Sequence, residues 1–284
     1  MAESWTVLKL LRWTADYFAG RGIDSPRLDA ELLLAETLKL DRVGLYLNFE
    51  RPLQADELTV YREKVRRRAG REPLAYILGR TEFWSLPLRV TPDVLIPRPD
   101  TELLVEQALA RVDGTARVLD VGTGSGALAI ALAHERPDWT VTAVDLSPQA
   151  LKVAAGNARD NGVAERITLV EGNLIALPSG PFELIVANPP YIPTGELAEL
   201  MPEVCDYEPH LALDGGACGL DAYRALAGQA TSVLAPGGWL LVEVGMGQAP
   251  AVQALFATAG LTELYNALDL AGIERVVGGR RPLI

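Results

Sequence analysis

Val118-Leu119-Asp120-Val121-Gly122-Thr123-Gly124-Ser125-Gly126 opens the stretch from which the fold is read. Val118 and Leu119 form a short apolar strand, Gly122 to Gly126 a glycine-rich turn and Ala127 to Ala133 a helix; a second strand at Val141 to Val144 ends in Asp145. Strand, crossover helix and strand make the unit from which parallel sheets are assembled. Such sheets bind ligands at the carboxyl ends of their strands, where this turn lies. Glycines at 122, 124 and 126 let the backbone turn sharply and let a ligand approach without meeting a Cβ atom. Asp145 follows Gly122 by 23 residues, a spacing at which a carboxylate accepts hydrogen bonds from the two hydroxyls of a ribose. The stretch therefore predicts a cofactor containing adenosine. Gly122, Gly124 and Ala127 also satisfy a dinucleotide fingerprint with alanine as its last small residue, so two cofactor classes stay open here. Asp120, placed to attract an ammonium or sulfonium group, and the third glycine at 126 favour S-adenosylmethionine.

Downstream, Ala150 to Arg159 reads as a helix, Ile167 to Val170 and Phe182 to Ala187 as strands, Leu220 to Leu234 as a helix and Trp239 to Val244 as a strand. Possible strands near Thr262 to Tyr265 and Glu274 to Val277 would close the sheet with an antiparallel hairpin. Upstream, Pro97, Arg98 and Pro99 introduce an amphipathic helix to about Val112, with Asp100 and Glu102 in its first turn, where the helix dipole favours acids. Thr81 to Ile96, with Phe83, Trp84, Leu86, Leu88 and Val90, suggests a short hairpin linker. Residues 1 to 80 repeat apolar side chains at helical spacing, as in Val7, Leu8, Leu11 and Leu28, Leu32, Leu33. They predict a bundle of four or five short helices, one starting with Ser25 as N-cap before Pro26 and one ending at Gly70. The expected organisation is a helical bundle at 1–80, a linker hairpin at 81–96 and an α/β domain at 97–284.

The composition agrees with a globular chain: 284 residues, 49% hydrophobic and 22% charged, which argues against disorder, collagen-like repeats and a coiled-coil rod. No apolar run approaches the roughly 18 residues that cross a bilayer, and no cleavage-site pattern follows Glu3 and Trp5, so the expected location is the cytoplasm, away from membranes. The net charge of −11 divides unevenly, +2 over residues 1–80 and −13 over 81–284. That balance argues against general binding to polyphosphate; the run Arg66-Arg67-Arg68 reads as a solvated helix end that complements the dipole rather than as a nucleic-acid footprint. Cys205 and Cys218 read as reduced thiols, and with His134 and His210 they are too few and too scattered for a metal site. No metal is expected, and the chain is expected to be a monomer.

After the strand Phe182 to Ala187 comes Asn188-Pro189-Pro190-Tyr191, a more specific signal than the glycine turn. It suits an acceptor whose NH2 group sits on a flat sp² carbon. The Asn188 side-chain oxygen and the Pro189 carbonyl can accept its two hydrogens, and Tyr191 can pack against its flat face. Pro189 and Pro190 fix φ and carry no N–H, so the loop is stiff. This tetrapeptide, the Asp120 to Gly126 loop, the segment Ile96-Pro97-Arg98-Pro99-Asp100-Thr101-Glu102 and the helical head together resemble the release factor glutamine methyltransferases. The resemblance spans essentially the whole chain. It implies a class I S-adenosylmethionine-dependent methyltransferase fold: an α/β, Rossmann-like, mainly parallel seven-stranded sheet preceded by a small N-terminal helical bundle. It implies methylation of the side-chain amide nitrogen (N5) of glutamine in the Gly-Gly-Gln motif of class I peptide chain release factors, and so a role in translation termination. Carried onto this sequence, Gly122, Thr123, Gly124, Ser125 and Gly126 would wrap the methionine end of the cofactor, Asp145 would hold its ribose, and Asn188 would border it. Asn188, Pro189, Pro190 and Tyr191 would hold the glutamine, with Asn188, Pro189 and Tyr191 at the reacting centre. At Gly172-Asn173-Leu174 many relatives have an acidic or aromatic residue near the adenine; Asn173 can still hydrogen-bond it. Arg98, Thr101 and Glu102 match a family segment near the site, although a helix cap accounts for them almost as well.

Asn-Pro-Pro-Tyr is shared with nucleic-acid adenine (N6) and guanine (N2) amino methyltransferases, which is the alternative reading. Its weakness is the acidic body, which lacks a phosphate footprint, and no stable nucleic-acid partner is expected. A dinucleotide-dependent dehydrogenase would have no use for the Asn188 to Tyr191 loop, and a regulator without turnover would leave that loop idle.

Overall fold

The computed structural model describes residues 5–174 and 176–283. The chain forms two compact units, one holding the residues up to Gly79 together with Met201–Tyr207, the other holding Arg80–Leu200 and the residues from Glu208 onward. The first unit contains α1 (Val7–Ala19), α2 (Pro26–Leu38), α3 (Arg42–Leu47), α4 (Ala55–Ala69) and α5 (Leu74–Leu78), and the single turn α9 (Pro202–Cys205). Val7, Leu10, Leu11, Thr14 and Phe18 form the buried stripe of α1, the spacing of one helix face. They pack with Leu33, Leu34, Tyr61 and Val65 in this unit's core. Ser25 stands at the N-cap of α2 but its hydroxyl makes no capping bond; Pro26, with φ already near the helical value, starts that helix.

The arginine run differs from its reading as a solvated helix end. Arg66 donates to Glu63 and Arg67 to Glu72. Arg68 is buried, its Nε 2.7 Å from Asp29 and its Nη1 3.0 Å from Glu203. A guanidinium leaves water only where carboxylates replace its hydration, and here two do.

The second unit begins with the hairpin β1 (Arg80–Phe83) and β2 (Leu86–Arg89), followed by α6 (Glu102–Arg111), β3 (Arg117–Val121), α7 (Ala127–Glu135) and β4 (Thr140–Asp145). Then come α8 (Pro148–Asp160), β5 (Ile167–Glu171), β6 (Phe182–Ala187), α10 (Asp221–Val233), β7 (Leu234–Glu243), α11 (Ala249–Thr258), β8 (Thr262–Leu268) and β9 (Glu274–Arg280). The strands order as β5-β4-β3-β6-β7-β9-β8 in one seven-stranded sheet. β3 to β7 run parallel, while β9 lies antiparallel to both β7 and β8.

Both faces of the central strands are covered, which is why they read as apolar runs rather than as alternations. Along β6, Leu184 and Val186 enter one core with α6 and α7, while Ile185 and Ala187 enter the opposite core with α10 and α11. The seven residues Ala127–Ala133 of α7 are all buried, and their alternating alanines suit a helix enclosed on every side. Asn157 of α8 is the buried polar pin of this layer. Its Oδ1 accepts from the Arg89 N–H at 2.8 Å, and its Nδ2 donates to the Arg89 and Ser125 carbonyls at 3.0 and 2.8 Å. The hairpin and the glycine turn are thereby tied to one side chain.

Some segments depart from the sequence reading. Pro99–Thr101 is a 3₁₀ turn and the α-helix starts only at Glu102, because the residues of that turn are drawn into partners elsewhere. α11 was not anticipated; its short Ala-rich pattern gives a weak periodic signal. Among the described residues no helix is long and apolar enough to cross a membrane.

Candidate active site

The chain order reverses between β3 and β6, the two neighbours at the centre of the sheet. At such a switch point the loops leaving adjacent strands diverge and open a crevice. A cavity of about 590 Å³ lies there, walled by Gly122 and Gly124 after β3, Asp145 after β4, Asn173 after β5 and Asn188, Pro189 and Pro190 after β6. This volume is within the range of small-molecule sites.

The glycine turn divides into a lining and a support. Gly122 and Gly124 have φ of 75° and 56°, and a Cβ on either would point into open space. They leave room on the cavity side that any other residue would narrow, besides adopting a backbone that strains other residues. Thr123, Ser125 and Gly126 do not line the cavity. Thr123 and Ser125 are buried, and a Cβ at Gly126 would come within 3.0 Å of Ile130 and 3.2 Å of Ala154, so this glycine serves the packing of α7 on α8.

Asp120 is likewise support. It is fully buried and absent from the cavity wall. Oδ2 accepts from the Thr123 hydroxyl at 2.6 Å and the Ala129 N–H at 3.2 Å, while Oδ1 has no hydrogen bond among the described residues. Burial pushes its carboxyl up to about 7 against the two hydrogen bonds. The sequence reading makes Asp120 a partner for a cationic ligand group, whereas its carboxyl sits buried behind the turn rather than on the cavity wall.

A stability dependence follows. The folded-state value is raised above the usual carboxylate value, so the neutral form is favoured by folding, and this contribution is lost as pH rises toward 7. Asp120→Asn should therefore gain on the parent between pH 5 and pH 8, by at most about 1.4 kcal/mol per pH unit. Urea titrations at pH 5, 6.5 and 8 measure this; a difference that does not change with pH would show that Asp120 does not titrate there.

Asp145 ends β4 at the cavity rim. Its Oδ2 accepts from the Gly124 N–H at 2.8 Å and its Oδ1 from the Ser147 N–H at 2.9 Å. Each carboxylate oxygen has a second lone pair to offer. Asn173, just after β5, also lines the cavity.

The loop after β6 is held at both ends. Asn188 Nδ2 donates to Thr101 Oγ1 at 3.1 Å, which turns its Oδ1 away from Thr101. Thr101 Oγ1 in turn donates to Glu243 Oε2 at 2.5 Å. The register pairs Ala187 with Val242, so Asn188 and Glu243 are the next residues along the two strands. Glu243 is almost completely buried, and that burial lifts its carboxyl to about 7, opposed by Thr101, Arg275 and Arg98 and assisted by Asp100. At the other end, Gln248 Nε2 donates to the Tyr191 carbonyl at 2.9 Å, while its Oε1 accepts from the Gly245 N–H. Pro189 is buried and Pro190 half-buried, both on the cavity wall. Tyr191 is not on that wall: its ring packs on the core that contains Tyr223 and Val244, and burial pushes its phenol up to about 12.

The helix-cap reading of residues 98 to 102 also gives way. Thr101 makes no capping bond. Arg98 Nη2 donates to both carboxylate oxygens of Glu208 at 2.8 Å, Asp100 pairs with Arg275 at 2.9 Å, and Glu102 accepts from the Trp84 N–H at 2.7 Å. Glu243 and Gln248 do not stand out in the sequence, and Thr101 does so only as one residue of a segment near the site. The Glu243-Val244-Gly245 strand end followed by Gln248 was the available signal, since a carboxylate ending an otherwise apolar strand is costly unless it has partners.

Residues 9–79 match the PrmC N-terminal domain and residues 99–203 the methyltransferase small domain. A release factor glutamine methyltransferase of Geobacter sulfurreducens is 52% identical over 279 residues, covering 98% of each chain. One from Bradyrhizobium diazoefficiens is 44% identical over 94% of this chain and 97% of its own. A methyltransferase structure from Pyrococcus furiosus superposes with a TM-score of 0.53 at 18% identity, covering 69% of this chain and 89% of the other. The topology and this likeness establish a class I S-adenosylmethionine-dependent methyltransferase fold. With near-complete coverage at this level of identity, the chain belongs to the release factor glutamine methyltransferase family.

Proposed function

We propose that the chain transfers a methyl group from S-adenosylmethionine to the side-chain amide nitrogen of the glutamine in the Gly-Gly-Gln motif of class I release factors. The observation that carries this reading is one cavity whose wall holds both Gly122, Gly124 and Asp145 and Asn188 and Pro189. The residues fit the cofactor. The open space beside Gly122 and Gly124 suits its methionine portion, Asp145 its ribose hydroxyls and Asn173 its adenine. When bound, S-adenosylmethionine supplies an electrophilic methyl on a sulfonium centre.

The chain's task is to present a poor nucleophile. A glutamine amide nitrogen shares its lone pair with the carbonyl, so it needs orientation more than activation. Asn188 Oδ1 and the Pro189 carbonyl accept its two hydrogens and fix the direction of its lone pair, an effect that can contribute several kcal/mol. Pro189 and Pro190 hold the loop stiff while this happens. Tyr191 anchors the loop through Gln248 rather than by covering the substrate. Once alkylated, the nitrogen is strongly acidic and gives up its proton to solvent without a dedicated base.

The helical unit engages the release factor away from the glutamine, since its own fold and core have no part in methyl transfer. Radiolabelled S-adenosylmethionine, offered with intact release factor, with a short Gly-Gly-Gln peptide or with DNA and RNA, tests both statements. The expected label is on the glutamine, with kcat/KM for intact release factor at least tenfold above that for the peptide. Label on nucleic acid alone would transfer the protein to the amino-methyltransferases of nucleic acids, and equal kcat/KM for peptide and protein would remove the recognition role.

A further inference from the structure

An asparagine amide can be placed in either of two orientations that differ by exchange of its oxygen and nitrogen, and only one presents an acceptor to a substrate N–H. What selects between them is the hydrogen-bond network behind the side chain. Behind Asn188 stands Thr101, a hydroxyl with one hydrogen and lone pairs to accept with, and behind Thr101 stands Glu243. An ionised carboxylate only accepts. The Thr101 hydrogen must then point to Glu243, so the face that Thr101 offers to Asn188 is an acceptor, and it can be met only by the amide NH2.

We propose that Glu243 and Thr101 form a polarity relay that holds Asn188 with its Oδ1 toward the substrate amide, making them positioning residues for methyl transfer. The inference rests on the reading of Asn188 as the acceptor for the glutamine N–H. The three side chains come from separate parts of the chain: Thr101 lies 87 residues from Asn188 and 142 from Glu243. The relay is built where it has little freedom. Thr101 and Glu243 are both buried, the Glu243 carbonyl accepts from the Tyr223 hydroxyl at 2.9 Å, and the turn carrying Thr101 is fixed by the Arg98–Glu208 and Asp100–Arg275 pairs. A buried acid on a central strand is an expensive way to fill space; as the terminal acceptor of a directional chain it has a use.

The test measures kcat, cofactor Kd and thermal stability for full-length Thr101→Ser, Thr101→Val and Glu243→Met, each alone and combined with Asn188→Ala. Assays at pH 8.5 lie above the value of about 7 to which burial lifts Glu243, so the carboxylate is ionised. Thr101→Ser keeps the hydroxyl and should stay within about threefold of the parent. Thr101→Val has nearly the same shape without the hydroxyl and should lower kcat about 10- to 100-fold with cofactor Kd within about threefold. Glu243→Met leaves Thr101 free to donate either way and should lower kcat about tenfold, which covers the case of a Thr101→Val protein that does not fold. In the Asn188→Ala background neither change should lower kcat further, because residues that act through one group are not additive. Full turnover in Thr101→Val or Glu243→Met, or a loss of the same size in the Asn188→Ala background, would overturn the relay while leaving the role of Asn188 intact. Full turnover in Asn188→Ala alone would overturn the acceptor reading, and the relay with it.

Discussion

Asn188→Ala is expected to lower kcat by about 10²- to 10³-fold while cofactor Kd stays within about threefold. The size reflects what the side chain is asked to do. On the proposed reading it accepts one of two hydrogen bonds that set the direction of a weakly nucleophilic nitrogen, and losing a preorganised polar contact at a reacting centre costs in that range. The split between kcat and Kd follows from position. Asn188 borders the cavity from β6, whereas Gly122, Gly124 and Asp145 come from the turns after β3 and β4. Single-turnover methylation of release factor, with calorimetry of S-adenosylmethionine binding, measures both quantities. A variant that loses cofactor affinity as steeply as turnover would show that Asn188 belongs mainly to the cofactor site and that the proposed division of labour is wrong.

Asp145→Ala should have the opposite signature, with cofactor Kd raised about 10²-fold, equivalent to about 2.7 kcal/mol, and kcat at saturating cofactor within about fivefold. The carboxylate holds the turn through the Gly124 and Ser147 N–H groups and has lone pairs left for the ribose hydroxyls. On the proposed reading its removal would delete two charge-assisted ligand contacts besides releasing two backbone donors, each change worth about 1–3 kcal/mol and not additive. Asp145→Asn separates these contributions: one amide oxygen can satisfy one donor, so its Kd should fall between the parent and the alanine variant. Unchanged Kd in both variants would exclude the ribose contact.

These two predictions use residues that stand out in the sequence for local reasons. A strand followed by a glycine turn and a helix is written in neighbouring residues, so β3, the turn and α7 are readable in order, and Asp145 and Asn188 follow because each directly ends a strand. The helical head is readable for the same reason, through the spacing of Val7, Leu11 and Leu33. The roles within the glycine turn are not. Gly122 and Gly126 look alike in sequence, yet one faces the cavity and the other packs against Ala154, because a helix laid over the turn decides which side is open. Tyr191 is another case: its place in the tetrapeptide suggests a platform for substrate, while the core beneath α10 and β7 takes up its ring.

By itself, the sequence determined the α/β order, the position of the glycine turn after the first parallel strand and the presence of the Asn-Pro-Pro-Tyr loop after the fourth, since each depends on contacts within a few residues. Only the tertiary structure decided that Thr101 and Glu243 stand behind Asn188, that Gln248 holds Tyr191 and that Arg68 is buried between Asp29 and Glu203. Those partners are far apart along the chain, and strand register and helix packing, which no local pattern encodes, bring their polar atoms within bonding distance.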